Sequence, residues 1–180
     1  MRCWVLLSVL ASCGVVVQKD DPTNKFVDAG PRAVDSAPPP PPCTGGDARA
    51  TAPDASCLVL FTGTYAWMEA QAACSAIGAH LAILRSATMD HAAEQLVGAI
   101  DAFIGLTDQV SEGSFLWADG SPVSFTNWRS GEPSEGDGGG GYSEDCAVIA
   151  GTRSGGGWED RPCEPLPGIG GGNYAALCQR

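Results

Sequence analysis

The 180-residue sequence has little positive charge. It contains ten lysine and arginine residues against 21 aspartate and glutamate residues, and its formal net charge at pH 7 is −11. The two lysines, Lys19 and Lys25, both lie near the N-terminus, and no segment has clustered basic side chains. Because binding to a nucleic-acid backbone depends on clustered Lys and Arg, the composition argues against a nucleic-acid-binding protein.

The sequence also lacks the common motifs of hydrolases and nucleotide-binding enzymes. It has no Gly-x-Ser-x-Gly, no His-Glu-x-x-His and no phosphate-binding Gly-Lys-Ser/Thr. It has no Cys-x-x-Cys and only two histidines, so zinc and thioredoxin-like sites are not favoured. Some acidic pairs could act like a glycosidase pair, but nothing beside them in the sequence indicates a raised carboxyl pKa. We therefore expect a binding protein and not an enzyme.

The apolar run from Cys3 to Leu10 near the N-terminus is too short to span a bilayer as a helix. It suits a secretory signal. Leu10-Ala-Ser-Cys13 resembles the bacterial lipobox, in which the signal is cut before the cysteine and lipid is attached to it. The resemblance implies a signal over residues 1–12, acylation at Cys13 and anchoring in a bacterial cell envelope, at the outer membrane. The alternative is an ordinary signal peptide with an incidental cysteine.

Residues 13–42 have no hydrophobic period and end in five prolines, Pro38 to Pro42. Proline lacks an amide donor and fixes φ, so this run predicts extended polyproline II structure. The segment is either a stalk between a membrane and a domain or a disordered tail with no spacing role.

Residues 43–180 have the pattern of one α+β domain. A first helical face consists of residues at i, i+3, i+7 and i+10, namely Trp67, Ala70, Cys74 and Ile77. A second helix is predicted after the N-cap Ser86, with one face formed by Met89, Ala93, Leu96 and Ile100. Short strand-like runs separated by long loops follow, around residues 115–117, 147–149 and 174–177. Helices first and strands afterwards are typical of the α+β class.

Six cysteines remain after Cys3 and Cys13 are set aside: Cys43, Cys57, Cys74, Cys146, Cys163 and Cys178. An even number of cysteines in an exported chain predicts disulfides. Spacing alone does not choose among the fifteen pairings that six cysteines allow.

From Cys43 to Gln179 the sequence resembles the C-type lectin-like domain. The order and spacing of the matching segments carry the resemblance: WMEAQAAC at 67–74, GAHLA at 78–82, FIGLTD at 103–108, EGSFLWADG at 112–120, WRSGEP at 128–133, EDC at 144–146 and WED at 158–160. It implies a fold with two helices, short antiparallel sheets and long calcium-binding loops. It also implies the disulfides Cys43–Cys57, Cys74–Cys178 and Cys146–Cys163.

The resemblance implies two Ca²⁺ sites. The ligands of the first, which in the family also contacts sugar, fall at Glu132, Ser134, Glu144, Glu159 and Asp160, with Pro133 expected to be cis. The ligands of the second, auxiliary site fall at Asp108, Glu112, Glu135, Glu144 and Asp145. In the first site Ser134 and Glu159 each replace an amide, so the donor set is more anionic than the family pattern.

The charge of the loops agrees with bound cations. Residues 101–164 contain 12 acidic residues and three arginines, a formal charge of −9, and calcium takes six to eight oxygen ligands. The alternative is a solvated acidic face. Tyr142 could stack on a sugar ring or pack against the base of the loop.

Together these features predict a calcium-dependent glycan-binding domain on a lipid-anchored surface protein. The alternative is the same fold bound to a protein partner, or using calcium only for stability.

Overall fold

The computed structural model describes residues 42–134, 143–165 and 174–180. The predicted signal and acylated Cys13, nearly all of the proline-rich segment, Glu135 and Tyr142 lie outside these residues. No helix among the described residues is long and apolar enough to cross a membrane.

The described residues form two helices and eight strands. The helices are α1 (Trp67–Ala76) and α2 (Ala87–Val97). The strands are β1 (Ala48–Thr51), β2 (Cys57–Tyr65), β3 (His80–Leu81), β4 (Ala102–Thr107), β5 (Leu116–Trp117), β6 (Cys146–Ile149), β7 (Trp158–Arg161) and β8 (Tyr174–Gln179). The α+β class expected from the sequence is confirmed, but the expected order of helices before strands is wrong, because β1 and β2 precede α1.

The strands belong to one sheet with the order β1-β2-β8-β4-β6-β7, while β3 pairs with β8 and β5 pairs with β4. The β4–β8 pair is parallel, and the other pairs are antiparallel. Strand β8 near the C-terminus therefore lies in the middle of the sheet, which joins the two ends of the domain.

Helix α1 buries Trp67, Ala70 and Cys74 of the face that the sequence predicted. Ile77, the fourth residue of that face, follows the helix as its C-cap and is only partly buried. The Trp67 indole N–H donates a hydrogen bond of 3.1 Å to the Ile104 carbonyl, which ties the helix to β4. At the N-terminus the Glu69 carboxylate accepts a 3.0 Å hydrogen bond from the Ala66 amide.

Helix α2 begins at the predicted N-cap, because the Ser86 hydroxyl accepts a 3.3 Å hydrogen bond from the Met89 amide. The predicted face is correct for Met89 and Ala93 but wrong for Ile100, which is 39% exposed. The helix ends at Val97 because Gly98 has a φ of +59°, a conformation that other residues rarely adopt.

Three tryptophans pack together in the core. Trp117 and Trp158 are fully buried, and Trp128 packs partly buried against them. The ring of Trp158 makes edge-to-face contacts with Trp117, Trp128 and Phe125. Strand β7 is thereby fixed against the loop that carries Trp128.

The three disulfides that the resemblance implied are present. Cys43–Cys57 closes the N-terminal hairpin, Cys74–Cys178 joins α1 to β8, and Cys146–Cys163 joins the start of β6 to the residues after β7.

Candidate functional site

Strand pairing places two of the predicted auxiliary-site carboxylates side by side. Thr107 at the end of β4 is paired with Cys146 at the start of β6. The next residue outward on each strand is acidic, and the Asp108 amide donates a 3.2 Å hydrogen bond to the Asp145 carbonyl. The antiparallel register therefore brings Asp108 and Asp145 together.

A tight turn adds a third carboxylate. The Gly113 amide donates a 2.8 Å hydrogen bond to Oδ2 of Asp108, which folds residues 108–113 back on themselves. Carboxylate oxygens of Asp108, Glu112 and Asp145 then all lie within 4.8 Å of one another. We call these three residues the Asp108 cluster.

The Asp108 cluster fits a hard cation. Asp108 is 2% exposed, and its Oδ1 has no hydrogen-bond partner among the described residues. Burial raises the pKa of Asp108, and the nearby Glu112 and Asp145 raise it further. A buried carboxylate beside two others is costly unless a positive charge accompanies it. Three convergent carboxylates are the donor type that calcium prefers.

Residues predicted for the other calcium site form a second group, which we call the Glu132 cluster: Glu132, Ser134 and Asp160. The Ser134 amide donates hydrogen bonds of 2.9 and 3.0 Å to the two oxygens of Asp160. The Ser134 hydroxyl donates a 2.9 Å hydrogen bond to Oε2 of Glu132. The Glu132–Pro133 bond is cis, as predicted.

Asp160 has a raised carboxyl pKa, which nothing beside the acidic pairs in the sequence indicated. It is fully buried on β7, and burial together with the carboxyl of Glu132 raises its pKa to about 7. Neither cause is visible in the linear sequence, because burial depends on the fold and Glu132 is 28 positions away (160 minus 132).

Glu159 is arranged differently from the other predicted ligands. It is 3% exposed, and its Oε2 accepts a 2.6 Å hydrogen bond from Nη2 of Arg161. The same oxygen accepts a hydrogen bond from Nη1 of Arg129. A carboxylate held by two guanidinium groups does not fit a calcium ligand, since a divalent ion would have to approach two positive charges.

Arg161 also contacts two further residues of the predicted site. Its Nη1 lies 3.3 Å from the Asp160 carbonyl oxygen and 3.9 Å from Oε1 of Glu144. Burial lowers the pKa of Arg161, but Glu159, Tyr174, Glu144 and Glu132 together outweigh burial and raise it. The guanidinium is therefore a permanent positive charge in this part of the molecule.

Reasoning from the sequence missed both arginines. It assigned the positive charge that the acidic loops need to bound ions, whereas Arg129 and Arg161 supply part of it. A signal was present: residues two apart on a strand share a face, so Glu159 and Arg161 of β7 had to be neighbours. Arg129 carried no local signal, because the pairing of Trp128 with Trp158 brings it to β7.

A model of the lectin C-type domain family matches residues 63–168 of this chain. The low-affinity immunoglobulin epsilon Fc receptor of Mus musculus is 36% identical over 107 residues, which are 59% of this chain and 30% of the receptor. The chain thus spans less than a third of the length of this relative.

Solved structures agree with the family match. The cow carbohydrate-recognition domain of CD23, crystallised in the presence of a GlcNAc2Man3 oligosaccharide, aligns with a TM-score of 0.62 and 26% identity. The alignment covers 76% of this chain and 95% of that domain. The carbohydrate-recognition domain of the human scavenger receptor C-type lectin aligns with a TM-score of 0.63 and 25% identity, over 76% of this chain and 98% of that one.

Proposed function

The chain belongs to the C-type lectin domain family, and from this membership we propose that it binds glycans and requires calcium to do so. The observation that carries the calcium requirement is the Asp108 cluster. In it a buried carboxylate, one oxygen of which has no hydrogen-bond partner among the described residues, lies beside two other carboxylates. Asp108, Glu112 and Asp145 would hold the ion. The predicted ligands Glu135 and Glu144 would complete its coordination.

The bound ion would neutralise the Asp108 cluster. It would also fix the loop before β6 at the end where Asp145 lies. Asp145 directly precedes β6 and lies next to Ser143, where the described part of the loop resumes. Asp108 and Glu112 hold the opposite side of the site on the turn after β4. Loss of the ion would leave three neighbouring carboxylates in mutual repulsion, and the loop would lose this attachment.

The glycan would contact the surface formed by the partly exposed Glu132, Ser134, Arg129 and Arg161, which the buried Glu159 and Asp160 hold in place. Tyr142 would be available to stack on a sugar ring. Sugar hydroxyls both donate and accept hydrogen bonds, and this surface offers both kinds of partner. The Glu132 carboxylate accepts, while the guanidinium groups of Arg129 and Arg161 donate. We propose no particular sugar.

A protein ligand is the second candidate, with calcium retained only for stability. It is favoured by one observation, the pairing of Glu159 with two arginines in place of an amide that could serve ion and sugar together. In either case the domain is a binding module, and we propose no catalytic role for its carboxylates.

A glycan array probed with the full chain, disulfides intact, tests the proposal. We expect binding in millimolar Ca²⁺, loss of binding in EDTA, and loss in Glu112→Gln. The matched control is Arg85→Gln, which removes an exposed ion pair with Asp119 on another part of the surface. Absence of any glycan binding in calcium would contradict the proposal and favour the protein ligand.

We also propose that the domain is displayed on a bacterial cell envelope by lipid on Cys13. Several acyl chains would make the attachment durable, since each buried CH₂ is worth about 0.8 kcal/mol. Replacement of Cys13 by serine should release the protein from the membrane fraction and abolish labelling by a palmitate analogue. Retention of the label would contradict the assignment.

A further inference from the structure

We propose that the guanidinium of Arg161 takes the place of the calcium ion at the site predicted from Glu132, Glu144, Glu159 and Asp160. The chain then binds one calcium ion, at the Asp108 cluster. This inference rests on the calcium role proposed above for the Asp108 cluster and concerns the site beside it.

The contacts of Arg161 are those that a cation at this position would make. One guanidinium reaches a carboxylate oxygen of Glu159 at 2.6 Å, the backbone carbonyl of Asp160 at 3.3 Å and a carboxylate oxygen of Glu144 at 3.9 Å. Carboxylate and carbonyl oxygens converging on one point are the usual surroundings of calcium. Here they converge on a side chain that cannot lose its charge.

A second arginine closes the same site from a different element. Trp128 forms a parallel bridge with Trp158, and the Arg129 amide donates a 2.9 Å hydrogen bond to the Trp158 carbonyl. This pairing places the Arg129 side chain beside Glu159, the residue that follows Trp158. The buried carboxylate of Glu159 is thus held between two guanidinium groups, that of Arg161 on β7 and that of Arg129 in the loop that carries Trp128.

The remaining predicted ligands are engaged by the protein itself. Both oxygens of Asp160 accept hydrogen bonds from the Ser134 amide, and Glu132 accepts one from the Ser134 hydroxyl. An entering ion would have to displace these donors and also approach two positive charges.

The Asp108 cluster differs in charge, although its carboxylates also accept hydrogen bonds, from the Gly113 amide and the Ser143 hydroxyl. Within the described part of the chain, no arginine or lysine forms an ion pair with Asp108 or Asp145. The two sites therefore differ in their source of positive charge. At the Arg161 site the charge comes from arginines of the protein, and at the Asp108 cluster it would come from a bound ion.

Replacement of the ion by Arg161 would change how a glycan is bound. A glycan at the Arg161 site would be contacted by side chains directly and not through an ion. The calcium dependence of glycan binding would come from the Asp108 cluster, because the ion bound there would fix the loop before β6.

Calcium stoichiometry tests the inference, measured on the full disulfide-bonded chain by titration calorimetry with Ca²⁺ alone as the probe. We expect one equivalent per chain in the wild type and none in Glu112→Gln. In Asp160→Asn, which preserves side-chain shape, we expect one equivalent with a Kd within about twofold of the wild type, because no ion is lost. Two equivalents in the wild type, or loss of an equivalent in Asp160→Asn, would overturn the inference.

A second variant tests the role of the guanidinium itself. In EDTA, Arg161→Gln should lower Tm by at least about 3 °C, because the buried Glu159 loses one of its two cations. The matched control Arg85→Gln, which breaks an exposed arginine–carboxylate pair, should change Tm by less than about 1 °C. Equal Tm values for the two variants would contradict the replacement of an ion by Arg161.

The failures of the two proposals can be told apart. Absence of any calcium binding in the wild type would contradict the calcium role of the Asp108 cluster. Two bound ions would leave that role intact and would refute only the replacement by Arg161.

Discussion

The indole N–H of Trp158 donates a 2.7 Å hydrogen bond to Oδ1 of Asp90 and so joins strand β7 to helix α2. The other carboxylate oxygen of Asp90 accepts a 2.7 Å hydrogen bond from Nδ2 of the Asn127 side chain. Asp90 is 4% exposed, although nothing in the sequence marks it as a core residue. One acidic side chain thus connects the helix to the strand that carries Glu159 and Asp160.

Asp90 should give the domain a measurable pH dependence. Burial raises its pKa, and the nearby Glu94 also raises it, against the opposing hydrogen bonds from Trp158 and Asn127. A carboxyl group with a raised folded-state pKa favours the folded state most when it is protonated. Its contribution to stability is therefore full below the unfolded pKa of about 3.9 and falls as the pH rises through the higher folded pKa.

The measurement is the Tm of wild type and Asp90→Asn at a series of pH values upward from about 3.5. The asparagine variant cannot ionise, so the wild type should lose stability relative to it as the pH rises through this window. Asp54→Asn, an exposed change outside the helix–strand contact, is the control. A constant difference between wild type and Asp90→Asn would contradict the assignment.

The Asp108 cluster predicts opposite effects of one substitution with and without calcium. In EDTA, Asp108→Asn should be at least as stable as the wild type, because it removes a buried charge from between two others. In calcium at about a hundred times the Kd the wild type should gain about 2.7 kcal/mol, a Tm rise of several degrees that the variant lacks. Thermal unfolding in both buffers measures the crossover, and a calcium-induced rise in the variant would exclude Asp108 as a ligand.

The disulfides should contribute unequally to stability. Cys74–Cys178 spans 104 residues and Cys43–Cys57 spans 14. In the chain-entropy model, loops of these sizes correspond to about 4.7 and about 3 kcal/mol. Paired Cys→Ala variants should show a lower Tm for the loss of Cys74–Cys178. Equal losses would mean that loop length does not set the difference.

Gly151 should tolerate no side chain. A Cβ at this position would lie 2.5 Å from the backbone carbon of Ala99 and 2.6 Å from the backbone nitrogen of Ile100, and neither atom can move independently. At Gly120 a Cβ would meet no atom of the described residues within 4 Å, and its φ of +78° is what opposes substitution. Gly120→Ala should cost about 1 kcal/mol and Gly151→Ala clearly more, as measured by urea unfolding. Equal costs would show that the chain after β6 moves away from residues 99 and 100.

Much of the fold could be predicted from local pattern. The periodicity of Trp67, Ala70 and Cys74 and the cap at Ser86 depend on neighbours within one or two helical turns, so they can be seen in the sequence. Ile100 was assigned wrongly for a similarly local reason, since the hydrophobic period continues past the glycine that ends the helix. The disulfide pairing came from resemblance to a family and not from spacing.

The candidate site could likewise be predicted from the sequence only in part. The members of the Asp108 cluster were all named from the sequence, and the structure brings Asp108, Glu112 and Asp145 together. For the other predicted site the sequence identified the carboxylates but not their partners. Whether an acidic side chain meets an ion, an amide or an arginine depends on which distant strand lies beside it.

The sequence by itself determined the residue types: an acidic, cysteine-paired α+β domain whose loops carry more carboxylates than their own arginines can balance. Only the tertiary structure decided where the positive charge goes. The pairing of Thr107 with Cys146 brings Asp108 to Asp145, and the turn after β4 adds Glu112. The pairing of Trp128 with Trp158 brings Arg129 to Glu159. Electrostatic interactions act over a few ångströms of space, and long-range strand pairing sets those distances where sequence separation does not.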